Sequence, residues 1–296
     1  VIYGHAASTS FNNIDLLSFV AGPKGFTIYG SNAGDQSGFA VSRAGDVNGD
    51  GGNDLVVGAW NADVPGRISA GMALVLYGTP PVVPSVSPSA PPTSPPSRVA
   101  FSIVGEQGAV GNIVSGVGDV NSDSFGDYVV AVSRGSYQTR VNCGIVYVIF
   151  GAGSGQSGEL MLGDITPADE NGFIIIGAAA GDACGSSVSG AGDVNGDGID
   201  DILIGCPGAG LYARVSVGSV YIVFGGKRRY NMWTDLDLAM FYSGSDGKII
   251  VGENYDFGCL GYAVSGAGDV NGDGLDDVIL SAPYVFDVGH VYVLFS

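Results

Sequence analysis

Apolar residues along this chain fall into runs of four to eight, rich in Val, Ile, Tyr and Phe and bounded by glycine. The same order of runs recurs four times. In the third recurrence Ser186 to Gly192 leads into a polar loop, Asp201 to Gly205 leaves it, Ser219 to Phe224 follows, and Lys248 to Gly252 comes after a longer connection. Runs of this length and make-up predict short strands. The first unit reads Phe39 to Gly45, Asp54 to Trp60 and Met72 to Gly78; the second, Asn112 to Gly118, Asp127 to Val132 and Ile145 to Gly151; the fourth, Tyr262 to Gly268, Asp277 to Ala282 and Val291 to Phe295. Phe26 to Gly30, Phe101 to Gly105, Phe173 to Gly177 and Lys248 to Gly252 are the fourth-strand segments.

The polar loops begin at Asp46, Asp119, Asp193 and Asp269, which recur at a nearly constant interval of about a quarter of the chain. Four strands in each of these long units predict an all-β fold, a β-propeller of four blades, in one domain over residues 1–296. The ends do not balance. Val1 to Gly4 matches a third strand, as does Val291 to Phe295, so third strands outnumber the others. Either Phe26 to Gly30 completes the last blade of a four-bladed ring and leaves Val1 to Gly4 surplus, or the chain is part of a larger propeller. A surplus strand could pair with an exposed edge of another molecule and build a fibre. The chain opens on Val1, so any leader peptide is either removed or outside this sequence.

Each loop concentrates carboxylates at alternate positions, as a hard cation requires. Positions 1, 3, 5, 7 and 9 are Asp46, Asn48, Asp50, Gly52 and Asp54; Asp119, Asn121, Asp123, Phe125 and Asp127; Asp193, Asn195, Asp197, Ile199 and Asp201; and Asp269, Asn271, Asp273, Leu275 and Asp277. Position 7 would offer its backbone carbonyl. This resembles the first half of an EF-hand loop, without a glutamate at position 12 and with strands instead of helices on either side. Four Ca2+ sites are expected. The alternative is a set of hydrogen-bonded Asx turns. Ser122 and Ser124 replace glycines in the second copy, and the weakest occupancy is expected there. Asp200 and Asp276, at position 8, are expected outside the ligand set or facing solvent.

The pattern G-[FY]-x-V-S-x-A-G-D-V-N-G-D-G-x-D-D, then three aliphatic residues, G-A-P and V-Y-V-x-F-G, resembles the FG-GAP repeat of integrin alpha subunits and of many extracellular proteins. The resemblance covers essentially the whole chain. It implies a β-propeller whose aspartate loops, between the first and second strands of each blade, bind calcium. Ile14 to Leu17 (IDLL) and Leu236 to Leu238 (LDL) also look like the family's aspartate-leucine motif.

Composition narrows the function. Net charge is −18 with 11 basic residues, which speaks against nucleic acid, because phosphate binding needs clustered Lys and Arg. No apolar run approaches the roughly 20 residues of a membrane span. Cys143, Cys184, Cys206 and Cys259 form no CxxC pair. Their places in the repeat favour bridges Cys143–Cys184 and Cys206–Cys259 between adjacent units, with free buried thiols as the alternative. These bridges would close long loops, each worth about 4 kcal/mol on the chain-entropy model, and imply an oxidising, extracellular or cell-surface setting.

Thr79 to Ser97 holds eight of the chain's 13 prolines and substitutes for the connection between third and fourth strands. Extended polyproline II is expected. Thr79, Ser85, Ser87, Ser89, Thr93, Ser94 and Ser97 are candidate O-glycosylation sites, against an unmodified spacer as the alternative.

Only His5 and His290 are histidines, and neither lies near a nucleophile motif. The chain reads as non-enzymatic: a calcium-stabilised extracellular structural or adhesion protein with a protein partner or self-association, and a possible filament subunit. The alternative is a carbohydrate-binding or carbohydrate-active module using exposed aromatics such as Trp60, Tyr230 and Trp233, with glycans as partners. Lys227 to Arg229 could meet an acidic partner, or be a solvated loop.

Overall fold

A computed structural model describes residues 26–30, 32–64, 66–78, 99–105, 110–153, 158–210, 214–226, 234–253 and 257–296. Blade 1 is built from Ser37–Gly45 (β1), Asp54–Ala59 (β2), Met72–Leu76 (β3) and Val99–Val104 (β4). Blade 2 uses Ile113–Gly118 (β5), Asp127–Val132 (β6), Ile145–Ile149 (β7) and, after Gly158–Met161 (β8), Gly172–Ile176 (β9). Blade 3 uses Ser187–Gly192 (β10), Asp201–Cys206 (β11), Ser219–Val223 (β12) and, after Leu236–Asp237 (β13), Gly247–Val251 (β14). Blade 4 is Val264–Gly268 (β15), Asp277–Ala282 (β16) and His290–Leu294 (β17). Within each blade successive strands pair antiparallel. The chain is therefore all-β, with four sheets of the propeller type.

The second strands explain why their sequences run apolar without alternation. Every residue of β6 and of β11 is buried, because each sheet has a neighbour on both faces. Tyr128, Val130 and Val132 pack towards blade 1, with Val56, Val75 and Ile103. Val129 and Ala131 pack towards blade 3, with Ile202, Ile204 and Val223. A third cluster joins Leu203, Val220 and Ile222 to Val264, Val278 and Leu280. Apolar burial at these seams is the main term holding the blades together.

The seams repeat in detail. The backbone N–H at loop position 8 donates to the carbonyl of the first loop aspartate of the preceding blade: Gly126 to Asp46 at 2.8 Å, Asp200 to Asp119 at 3.3 Å and Asp276 to Asp193 at 3.2 Å. Gly116 and Gly266 donate their N–H groups to Ser42 Oγ and Ser189 Oγ at 3.3 and 3.5 Å. First strands approach so closely that a Cβ on Gly116 would stand 2.2 Å from the Arg43 carbonyl oxygen, and one on Gly266 2.7 Å from that of Gly190. Between blade 4 and blade 1 no seam of this kind occurs among the described residues. Blade 1 carries Arg43 where the others carry Gly116, Gly190 and Gly266. The four first strands instead line one polar cavity of about 540 Å3, with Asp200 and Asp276 among its lining residues.

Several expectations change. Two strands, β8 and β13, are additional: β8 runs parallel to β4, and β13 parallel to β9. The LDL segment thus lies on the outer edge of the preceding blade. Residues 26–30 form no strand. Val1 to Gly4, Ile14 to Leu17, the proline tract and Lys227 to Arg229 lie outside the described residues, although β3 and β4, which the tract connects, are paired.

The disulfide also differs from the expected pairing. Cys184 bonds to Cys206, with Cα atoms 4.0 Å apart, while Cys143 and Cys259 are free. The bridge therefore lies inside one blade. Pairing of Ser187 with Gly205 in the β10–β11 hairpin brings the residues just beyond it together, and proximity within a hairpin outweighs correspondence between units. Cys143 meets Cys184 through the backbone only, accepting its N–H at 2.9 Å, and its thiol donates to the Gly135 carbonyl.

The seam makes a specific demand on Gly116, whose φ is ordinary. We expect Gly116→Ala to destabilise the protein by about 1–3 kcal/mol through overpacking, measured by urea unfolding. An unchanged midpoint would show that the first strands are not in close contact.

Candidate metal centre

The four aspartate loops connect the first and second strands of each blade. Their bonding is nearly the same in every copy. In loop 3, Asp193 accepts the N–H of Asp197 on Oδ1 at 3.1 Å and that of Gly198 on Oδ2 at 2.8 Å. Asn195 Oδ1 accepts the Asp197 N–H, and its Nδ2 donates to Asp197 Oδ2. Asp197 Oδ1 accepts the N–H of Ile199. The same set joins Asp46, Asn48, Asp50 and Gly52, Asp119, Asn121, Asp123 and Phe125, and Asp269, Asn271, Asp273 and Leu275. Side chains at positions 1, 3 and 5 are thus gathered by the turn itself.

Position 9 plays a different part. Asp54, Asp127, Asp201 and Asp277 are each 0% exposed. One carboxylate oxygen accepts the N–H at position 2, from Val47, Val120, Val194 or Val270, at 2.8–3.0 Å. The other accepts the N–H just beyond the third strand, from Gly78, Gly151, Gly225 or Ser296, at 2.6–3.1 Å. Burial pushes the Asp127 carboxyl up to about 8 and that of Asp201 up to about 7. The paired amides pull the other way, and the neighbouring loop aspartates add to the rise. Asp54 is raised for the same reasons.

Position 7 side chains link neighbouring loops. A Cβ on Gly49 would stand 2.4 Å from the Phe125 ring, and one on Gly196 3.0 Å from Leu275. Position 8 supplies the contact that sequence reasoning missed. Asp200 Oδ2 accepts the Asp119 N–H at 2.8 Å, and Asp276 Oδ2 accepts the Asp193 N–H at 3.0 Å. Both bonds cross a seam, so these aspartates join blades instead of facing solvent. Gly118 and Gly192, with φ of 85° and 74°, leave room for them: a Cβ at either would lie within 2.1 Å of the incoming carboxylate oxygen. The pairing of D-D at positions 8 and 9 with a glycine one unit earlier was the available signal.

The donors suit a hard divalent cation, since they are carboxylate and amide oxygens with no sulfur or imidazole. The Arg140–Asp237 ion pair and the contact of His290 Nδ1 with Glu253 Oε1 lie outside the loops. The carboxylate oxygens are turned to loop amides, and among the described residues no cluster of three or more His, Cys, Asp or Glu side chains is arranged to hold a metal. Of the aromatics considered for sugar contact, Trp60 meets Phe39 edge-on at 5.9 Å and donates Nε1–H to Gln36 Oε1. Tyr230 and Trp233 lie outside the described residues.

In loop 2, Ser122 and Ser124 adopt φ of 61° and 74°, where the other loops place Gly49 and Gly51, Gly196 and Gly198, Gly272 and Gly274. A non-glycine residue in the left-handed region costs roughly 1–2 kcal/mol. We expect Ser122→Gly with Ser124→Gly to stabilise the protein by at least about 1 kcal/mol, read by chemical denaturation. A loss of stability would mean that the serine side chains contribute bonds worth more than the strain.

The FG-GAP repeat profile matches residues 185–223 and 260–294, which contain β10 to β12 and β15 to β17. Integrin alpha pat-2 of Caenorhabditis elegans is 39% identical over 118 residues, 38% of this chain and 9% of that protein. Integrin alpha-PS2 of Drosophila melanogaster is 35% identical over 117 residues, 38% and 7% respectively. Phosphatidylinositol-glycan-specific phospholipase D of Bos taurus is 29% identical over 172 residues, 56% of this chain and 18% of the enzyme. The chain thus spans less than a fifth of the length of these relatives.

Proposed function

Because this chain carries FG-GAP repeats like those of integrin alpha subunits, we propose that it is a calcium-stabilised extracellular adhesion or structural module, non-catalytic in itself. The observation that carries this reading is the fourfold loop. Oxygen donors of positions 1, 3 and 5 are gathered at the end of a hairpin, beside a fully buried carboxylate, in every blade. Calcium would supply the countercharge these loops lack and would fix the hairpins against which position 7 and 8 side chains of the next blade pack. Its role is rigidity, and the adhesive contact is made by the surface so held. The disulfide and the integrin relatives support placement outside the cell.

Calcium at a hundredfold excess over its dissociation constant adds about 2.7 kcal/mol for each site bound. We therefore expect saturating calcium to raise the melting temperature of chelator-treated protein by at least about 5 °C, with four ions bound by titration calorimetry and one fewer after Asp193→Ala with Asp197→Ala. An identical melting curve in chelator and in calcium sinks the metal reading. The phospholipase relatives are enzymes by name, so cleavage of a glycosylphosphatidylinositol anchor by the purified chain would overturn the non-catalytic part.

Self-association by strand pairing, in a filament or matrix, is the finer form of this reading. Among the described residues blade 4 ends in β17, whose Val291 and Val293 are exposed, as is Phe295 just beyond it, and which carries no Lys, Asp, Glu or Pro. Such an edge favours pairing. Sedimentation velocity should show concentration-dependent oligomers that Val293→Lys abolishes; a monomer at every concentration removes the filament subunit from consideration.

A further inference from the structure

Away from the aspartate loops, three side chains of different chemistry meet where β14 of blade 3 ends and β17 of blade 4 begins. His290 Nδ1 stands 3.1 Å from Glu253 Oε1 and 3.0 Å from Tyr292 Oη, and Tyr292 Oη donates to the same Glu253 oxygen at 2.5 Å. His290 and Tyr292 are two residues apart in β17 and so share one face of the strand. Glu253 follows β14, so the meeting crosses from one blade to the next.

The repeat does not call for these groups. Strand pairing sets His290 opposite Ala282, as it sets Ser219 opposite Cys206, Ile145 opposite Val132 and Met72 opposite Ala59, so blade 4 alone has an imidazole at this place. Where Glu253 follows β14 and Gly252, Ala178 follows β9 and Gly177. Rings hold the imidazole from the side, Tyr292 edge-on at 5.9 Å and Phe286 at 5.8 Å. The site nevertheless admits solvent, since the side chains of His290 and Glu253 are 33% and 42% exposed.

The spacing of the three atoms is that of ligands around one ion. Donors at right angles on bonds of about 2.1 Å stand about 3.0 Å apart, whereas tetrahedral donors stand about 3.4 Å apart. Both distances from the imidazole fit the right-angled set, which with nitrogen and oxygen donors selects Cu2+, the tightest-binding of the common divalent ions. We propose that His290 Nδ1, Glu253 Oε1 and Tyr292 Oη bind a Cu2+ ion, with water completing its coordination. The hydrogens shared among these atoms give way to the ion, and the Tyr292–Glu253 pair opens slightly as they do. The neutral imidazole then carries its hydrogen on Nε2, and the phenol proton leaves to water, so one proton is released for each ion bound. A ligating nitrogen sets this site apart from the aspartate loops, whose oxygens suit calcium. It goes beyond the adhesive reading and does not rest on it.

The test is a titration of Cu2+ into the full chain in saturating calcium, followed by electron paramagnetic resonance and absorption. One copper ion should bind, coupled to a single ring nitrogen and with a phenolate-to-copper absorption band. His290→Ala should abolish the nitrogen coupling, and Glu253→Gln should weaken binding at least about tenfold, the loss that even an outer-shell change brings. Tyr292→Phe keeps the packing of the ring; it should remove the band and leave the nitrogen, which keeps the test decisive if His290→Ala folds poorly. Absence of bound copper in the unaltered chain overturns the assignment. So does a nitrogen coupling that survives His290→Ala, including one traced to His5 by its loss in His5→Ala, or a band that survives Tyr292→Phe.

Discussion

A fully buried carboxylate stands at the start of every second strand, and the rest of each blade is arranged around it. Asp54, Asp127, Asp201 and Asp277 accept one N–H from the loop and one from the end of the third strand. Each thus ties three segments of a blade at one point. Burying such a group is costly unless it is bonded, and two amides only partly offset the rise that burial imposes on Asp127 and Asp201. The carboxylates at positions 1 and 5 make the balance worse, since they raise these values further. This imbalance is what the proposed calcium would relieve.

From that point rigidity passes between blades through contacts that recur at each seam. The position 8 N–H reaches the preceding loop's first carbonyl, and where position 8 is aspartate its carboxylate takes that residue's N–H as well. At two seams the position 7 side chain, Phe125 or Leu275, covers Gly49 or Gly196 of the preceding loop. A loop that fixes its own hairpin therefore also fixes its neighbour's. The three larger apolar clusters lie between sheets, and only a small one, Val64, Ala70 and Val104, stays within blade 1. Stability is shared along the array.

The outer rim follows a second rule. Strands β8 and β13 leave their own blades to cover the preceding one, and the Arg140–Asp237 pair locks the second of these crossings. The pair holds Asp237 below the usual carboxylate range, chiefly through its hydrogen bonds to the arginine. In blades 1 and 2 the inner seams and the outer clasps act at opposite edges of the sheet.

The strand order and the loop positions were legible in the sequence, because a carboxylate at a fixed place in a hairpin and an apolar run buried on both faces leave local patterns. Boundaries of β6 and β16 match the reading of Asp127 to Val132 and Asp277 to Ala282 residue for residue. Tertiary structure alone decided the partners. The seam role of Asp200 and Asp276 and the parallel strands β8 and β13 each join residues distant in sequence. Spacing within one repeat carries no record of which neighbour a side chain meets. Residues 26–30 make a related point: a strand-like pattern alone does not form a strand, because β-propensity yields to context.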